Sequence, residues 1–184
     1  MLDESTKSEI EILSKKELDR TIKRLASQIL KKIPNISSLL LVGIPTRGVH
    51  LSKLLSKYLE ELSGQLVESG CLDPTFHRDD LARVGTRIGQ GTNLPSSVDE
   101  REVVLVDDVI YTGRTIKAAL EALNSWGRAK RVTLLAMVDR GHREVPIQPD
   151  FCGRVIPTNK DETIDLRLNE VDGEDGIFLC KKTK

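Results

Sequence analysis

The chain has 184 residues, which suits one folded domain over residues 1–184 with a substantial core. Its 28 basic and 28 acidic side chains cancel, so net charge indicates no nucleic-acid partner, and such binding would need a local basic patch. No apolar run reaches the roughly 20 residues that a membrane-spanning helix needs, and no charged-then-apolar leader opens the sequence. We therefore expect a cytoplasmic protein with no membrane partner.

The cysteines are scattered singly, at Cys71, Cys152 and Cys180. They form no CxxC pair, and no histidine stands at a zinc-binding distance from them in the sequence, so we predict no metal site built by protein ligands alone. An odd, dispersed set of cysteines is typical of reduced thiols in the cytosol.

The first predicted element is an amphipathic helix over about residues 14–33. Ser14 suits the N-cap, with Glu17 three residues later as in a capping box, and Pro34 ends the helical pattern. Basic side chains lie largely off its apolar stripe, at Lys16, Arg20, Lys23, Arg24, Lys31 and Lys32. This basic face is either an ordinary solvated helix surface or a site for salt-dependent RNA binding.

A short buried strand is predicted at residues 39–44, and a second helix follows at about 49–62. The turn between them contains Gly43, Pro45, Arg47 and Gly48. It is either an ordinary strand-to-helix loop or a pyrophosphate site, in which Arg47 presents a planar fork of hydrogen-bond donors.

The stretch at residues 84–97 is rich in Gly, Thr and Ser and has no periodicity. We interpret it as a long loop, and long loops in compact domains are usually functional lids or disordered segments.

The most informative motif begins with the apolar run at residues 103–106, which is typical of a strand buried on both faces. Asp107 and Asp108 follow, and we expect them just past the carboxyl end of the strand, where open α/β sheets bind ligands. The turn at residues 112–115 places backbone N–H groups at the start of a predicted helix, which suits an anion. Although two acids after a strand are sometimes only solvated, carboxylates beside a phosphate-binding turn favour a phosphorylated ribose.

Another buried strand is predicted at residues 131–138, ending at residues 139–142 on the same edge of the sheet. His142 is either a hydrogen-bonded structural residue or part of a base-binding segment. Short strands are predicted in the tail, near residues 155–156, 164–168 and 177–179. The alternation of strands and helices predicts right-handed crossovers and an α/β fold with a mostly parallel sheet.

Together these motifs resemble those of the type I phosphoribosyltransferases. The segment at residues 106–115 is most similar to that of the PyrR family, the pyrimidine operon attenuation regulators with uracil phosphoribosyltransferase activity. Further similar blocks lie at residues 41–48, 78–81, 138–146 and 156–158. The resemblance implies a mostly parallel central sheet flanked by helices, with a small hood of short strands.

For activity, the resemblance implies transfer of the 5-phosphoribosyl group from PRPP to uracil, giving UMP and pyrophosphate, with Mg²⁺ held mainly by the substrate. The implied catalytic residues are Asp107, Asp108 and Arg47. The acids would hold the ribose hydroxyls and stabilise positive charge at the anomeric carbon. The loop at residues 45–48 would receive pyrophosphate and often contains a non-proline cis peptide in this family. The loop at residues 84–97 would close over the site.

The predicted contacts fall into three groups. PRPP or nucleotide would contact Thr46, Arg47, Gly48, Asp107, Asp108, Val109, Tyr111, Thr112, Gly113, Arg114 and Thr115, and the base would contact Val138, Asp139 and Arg140. The family also binds a hairpin of pyrimidine-operon leader mRNA more tightly with UMP, for which the candidates are Arg20, Lys23, Arg24, Arg143, Arg154 and Lys160.

Two alternatives stay open from the sequence: an enzyme without RNA regulation, and a different base specificity. The acid pair and Tyr111 argue against hypoxanthine. The resemblance also implies a homodimer or a larger homo-oligomer.

Overall fold

The computed structural model describes residues 8–78 and 91–181. Its strands are β1 (Ser8–Ser14), β2 (Leu39–Gly43), β3 (Glu68–Cys71), β4 (Glu102–Ile110), β5 (Arg131–Asp139), β6 (Phe151–Val155), β7 (Glu162–Arg167) and β8 (Gly176–Lys181). Its helices are α1 (Lys15–Lys32), α2 (Arg47–Ser63), α3 (Arg114–Asn124) and the single turn α4 (Asn169–Asp172). None of these helices is both long enough and apolar enough to cross a bilayer.

The larger sheet has the strand order β3-β2-β4-β5-β6, and every neighbouring pair is parallel. Alternate residues of its central strands enter two different cores. Leu39 and Leu41 of β2 pack in a core with α1 and α2, whereas Leu40 and Val42 pack in a core with α3. Burial on both faces explains why the central strands are continuously apolar, and it confirms the predicted α/β architecture.

A second sheet of three antiparallel strands, in the order β1-β8-β7, forms the hood together with α4, which joins β7 to β8. It pairs the first described strand of the chain with the last. The sequence did not predict β1, because Ser8 to Glu11 are exposed and give no apolar run. The strand β3 was missed for a similar reason, since its sequence Glu-Ser-Gly-Cys carries no apolar period.

The predicted start of α1 is confirmed. Glu17 accepts hydrogen bonds from both the backbone N–H and the hydroxyl of Ser14, at 2.9 and 2.8 Å, and the first of these is the bond that the Glu side chain makes in a capping box. The helix after β2 begins slightly earlier than predicted, at Arg47. In the tail, the strand predicted near residues 155–156 is β6, which ends at Val155.

The predicted end of the central strand was wrong. The strand β4 continues through both acids to Ile110, because its ladder with β5 extends from Glu102 and Arg131 to Ile110 and Asp139. Asp107 and Asp108 therefore lie within the last four residues of β4 rather than in the loop that follows it.

Candidate active site

Three of the predicted functional segments meet at one edge of the parallel sheet. They follow β2, β4 and β5, which are neighbouring parallel strands, so their carboxyl ends lie side by side. The hood contributes acidic side chains from β7 and α4 to the same edge.

The loop after β2 folds tightly against β4. A Cβ atom on Gly48 would lie 2.4 Å from the carbonyl oxygen of Val106, and one on Gly43 would lie 2.5 Å from the carbonyl oxygen of Gly48. Only glycine permits these approaches at both positions. The peptide bond between Pro45 and Thr46 is cis, as the resemblance implies for a pyrophosphate loop.

Arg47, at the start of α2, is held by the hood. Its Nε and Nη2 atoms donate to the two carboxylate oxygens of Asp172, at 3.2 and 2.9 Å. The same Nη2 lies 3.4 Å from Oδ1 of Asp165. The predicted pyrophosphate cation is thus fixed in a bidentate ion pair.

The acid pair near the end of β4 is shielded from water, with Asp107 buried and Asp108 half-buried. Burial, followed by the charge of Asp108, raises the pKa of Asp107 well above its usual range. Burial also raises the pKa of Asp108, although the backbone N–H of Val109, which donates to its Oδ1 at 2.8 Å, and the charge of Arg47 oppose that rise. Two adjacent carboxylates with little water around them favour a ligand that supplies hydroxyl donors or positive charge.

The turn after β4 opens onto a cavity of about 340 Å³. It is lined by Asp107, Tyr111, Thr112, Gly113 and Thr115 among others, so it joins the acid pair to the start of α3. Gly113 has φ +87° and is the N-cap of α3, and the backbone N–H groups in the first turn of such an 11-residue helix are suited to bind an anion. Arg114, at the edge of this cavity, pairs with Glu144 at 2.7 Å.

Sequence reasoning missed Arg78 as a site residue. Its side chain lines the same cavity, and its Nη1 donates to Oγ1 of Thr115 at 3.1 Å. Its charge also counteracts the raised pKa of Asp107. The available signal was the similar block at residues 78–81, which Arg78 opens. Residues 79–81 of the motif that it opens, and residues 84–90 of the predicted closing loop, lie outside the described residues.

The base-binding candidates after β5 have different environments. Val138 is completely buried in the core, and Asp139 pairs with Arg143 at 2.6 Å. Arg140 is only 7% exposed, donates to the hydroxyl of Thr158 at 3.0 Å, and places its guanidinium 4.1 Å from the ring centre of Tyr111. The stacked Arg140 and Tyr111 therefore connect the β5 end of the site to the turn after β4.

The RNA-binding candidates separate into groups. Arg24 donates to the carbonyls of Cys152 and Gly153, which brings α1 beside β6. Arg20 of α1 and Arg154 of β6 are both exposed, and after the hydrogen bonds from Ser14 their charges also lower the pKa of Glu17. Lys23 pairs with Asp19. Arg143 lies instead within the site, where its side chain is 14% exposed, and exposed Lys160 follows β6.

Comparison with known proteins gives consistent matches over most of the chain. The family model for the phosphoribosyl transferase domain matches residues 10–170. The bifunctional protein PyrR of Microcystis aeruginosa is 49% identical over 172 residues, covering 94% of this chain and 97% of the relative. Its namesake in Clostridioides difficile is 42% identical over 170 residues, covering 92% and 96%.

Solved structures of purine enzymes share the fold. A hypoxanthine phosphoribosyltransferase from Staphylococcus aureus has a TM-score of 0.68 at 19% identity, covering 95% of this chain and 92% of that one. A hypoxanthine-guanine phosphoribosyltransferase from Bacillus anthracis has a TM-score of 0.72 at 15% identity, covering 95% and 98%. At these identities the likeness concerns the fold alone.

Proposed function

This chain belongs to the PyrR family of phosphoribosyltransferases, and we propose on that premise that its site transfers the 5-phosphoribosyl group of PRPP to uracil. The products are UMP and pyrophosphate. The observation that carries the proposal is the acid pair near the end of β4, in which Asp107 is buried and Asp108 is half-buried. It adjoins a phosphate-type turn on one side and the Arg47 loop on the other.

Each part of the site has a distinct task in this reaction. Asp107 and Asp108 accept hydrogen bonds from the ribose hydroxyls and stabilise the positive charge that develops at the anomeric carbon. The first turn of α3 receives the 5′-phosphate through its backbone N–H groups. Arg47 binds the pyrophosphate and stabilises the negative charge that it gains as it leaves.

Magnesium fits this site as a partner of the substrate. Among residues 8–78 and 91–181, no group of three or more His, Cys, Asp or Glu side chains is arranged to hold a metal ion. PRPP oxygens would therefore supply most of the ligands, beside the Asp107 and Asp108 carboxylates, whose burial favours a nearby cation. When bound, Mg²⁺ neutralises charge on the leaving pyrophosphate.

We propose that the segment containing Val138, Asp139 and Arg140 receives the uracil. Because Val138 is buried, its part in base recognition would come from its backbone. Arg140 would act through its stacking on Tyr111, which supports one wall of the site.

The test is an assay of the purified protein with PRPP, Mg²⁺ and each of four bases: uracil, hypoxanthine, guanine and adenine. We expect UMP and pyrophosphate in equal amounts, and much lower rates with the purines. Turnover of a purine without turnover of uracil would overturn the substrate assignment but not the reaction type.

A second function is favoured by the arrangement of Arg20, Arg24 and Arg154, which lie where α1 meets β6. We propose that this basic surface binds a hairpin of pyrimidine-operon leader mRNA, with UMP strengthening the binding. In a gel-shift titration, Arg20→Glu combined with Arg154→Glu should weaken UMP-dependent binding at least tenfold and reduce its salt dependence. The control Lys117→Glu alters α3, which packs on the other face of the sheet. Equal binding by all three proteins would exclude this surface.

A further inference from the structure

The single turn α4 contacts the start of α2 at two places. In one, Asp172 of α4 binds Arg47 through both of its carboxylate oxygens, at 2.9 and 3.2 Å. In the other, Glu170 of the same turn lies 3.1 Å from Nδ1 of His50, one turn further along α2. The two contacts join the same pair of elements, but only the first includes a residue of the proposed active site.

Asp172 is itself fixed in place. Its side chain is 16% exposed, and its Oδ2 also accepts the backbone N–H of Leu168 at 2.9 Å. Burial alone would raise the pKa of Asp172, but the bonds from Arg47 and from the Leu168 N–H hold that pKa below its usual value. The carboxylate is therefore ionised at neutral pH and forms a rigid anchor for the guanidinium.

Arg47 lies between this anchor and the reaction centre. Its charge acts on Asp108 of the acid pair as well as on Asp172 and Asp165. A free arginine side chain loses much rotational freedom when it binds an anion. When a carboxylate already binds the Nε and Nη2 atoms of an arginine, the side chain has lost that freedom before the anion arrives. Its remaining N–H groups then point in one orientation.

We propose that Asp172 is a positioning residue for pyrophosphate: from the hood, it orients Arg47 toward the leaving group of the substrate. This inference rests on the proposed function. It assigns the C-terminal hood a part in the reaction, because the pyrophosphate loop and α4 then form one binding unit.

The experiment compares Asp172→Asn with the matched control Glu170→Gln in the full-length protein. Asparagine keeps the shape of the side chain and an acceptor for the Leu168 N–H, but it loses the charge and the second acceptor for Arg47. Calorimetric binding of Mg²⁺-pyrophosphate and initial rates with PRPP and uracil are measured for both, together with melting temperatures. We expect Asp172→Asn to weaken pyrophosphate binding and to raise KM for PRPP, each about tenfold, with KM for uracil unchanged. Glu170→Gln should change none of these constants.

A double-variant cycle separates positioning from a merely structural effect. Once Arg47→Ala has removed the guanidinium, adding Asp172→Asn should not weaken pyrophosphate binding further. If Asp172 only competed with pyrophosphate for Arg47, Asp172→Asn would tighten binding, and that result would overturn the proposal. An equal loss in Glu170→Gln would also overturn it, because general docking of the hood would then explain the effect.

The outcome distinguishes this inference from the proposed function. Pyrophosphate binding is measured without turnover, so a wild-type protein that binds pyrophosphate but uses another base leaves the role of Asp172 testable. If the wild-type protein and Asp172→Asn bind pyrophosphate equally tightly, this inference fails and the proposed function is unaffected. A wild-type protein that binds no pyrophosphate would remove both.

Discussion

At the scale of single residues, the surroundings of the acid pair are unfavourable to its negative charge. Asp107 is 6% exposed and shares its surroundings with the charge of Asp108, so the folded protein confines two like charges at one point. Such an arrangement is unfavourable without a ligand, and perturbed carboxylates of this kind cluster at functional sites.

We therefore predict opposite effects of Asp107→Asn on stability and on activity. Removing one buried charge should raise the free energy of unfolding at pH 7 by about 1 kcal/mol or more, equivalent to about 2–4 °C in melting temperature per kcal/mol. Turnover should fall about 100-fold or more, since the carboxylate stabilises transition-state charge. The exposed control Glu121→Gln should change neither quantity, as measured by thermal melting and initial rates.

The pH dependence provides an internal check on that explanation. Because the folded-state pKa of Asp107 is raised, the folded protein binds its proton more tightly than the unfolded chain does, and stability from this group falls as pH rises from the ordinary aspartate pKa of about 4 toward neutrality. The stability advantage of Asp107→Asn over wild type should accordingly be small near pH 4 and grow toward pH 7. A constant difference across this range would contradict the assignment to charge.

A second prediction at the scale of single residues concerns Arg78. Its Nη1 lies 3.1 Å from Oγ1 of Thr115 in the turn after β4, so a 5′-phosphate bound there would lie beside its charge. Arg78→Ala should weaken binding of ribose 5-phosphate roughly 10- to 100-fold, the range expected for a charge-assisted hydrogen bond. Lys117→Ala removes an exposed positive charge two residues after Thr115 in α3 and should have little effect. Comparable losses in both variants would indicate a general electrostatic effect instead.

At the scale of elements, the sequence predicted the strands whose residues form a local apolar pattern. Continuous apolar runs identified β2, β4 and β5, because a strand buried on both faces carries no polar alternation. The hood strand β1 was not predictable in this way, since it is mostly exposed and its partner β8 lies at the other end of the chain. The bond between Arg47 and Asp172 spans 125 residues and leaves no local trace either.

At the scale of elements, one prediction concerns Gly48, at the junction of β2 and α2. Because a Cβ atom on Gly48 would lie 2.4 Å from the backbone carbonyl of Val106, Gly48→Ala must push the loop away from β4. We expect a loss of about 2 kcal/mol or more in the free energy of unfolding, together with weaker pyrophosphate binding. Gly64→Ala, at φ +69° with no atom within 4 Å of the added Cβ, should cost only about 1 kcal/mol and leave pyrophosphate binding unchanged. Denaturant unfolding and calorimetry measure both quantities.

At the scale of the whole molecule, the hood and the parallel sheet share one core. Leu13 of β1 and Ile177 of β8 are buried in the same cluster as α1, α2 and alternate residues of β2 and β4. This shared core explains how β1, near the start of the chain, supports a site built mainly from the middle of the chain. It also supports our proposal that the 184 residues form one cooperative domain.

Leu13→Ala tests that proposal. The side chain is 2% exposed, so its truncation should cost about 2–5 kcal/mol, whereas Ile10→Ala on the same strand, where the side chain is 58% exposed, should cost less than about 0.5 kcal/mol. If the hood and the sheet unfold together, differential scanning calorimetry will show one transition that shifts as a whole to lower temperature, with equal calorimetric and van't Hoff enthalpies. Two transitions, of which only the weaker moves, would mean that the hood unfolds as a separate unit. Asp172 could then release Arg47 without unfolding of the sheet, and pyrophosphate affinity in Leu13→Ala would fall before the main transition begins.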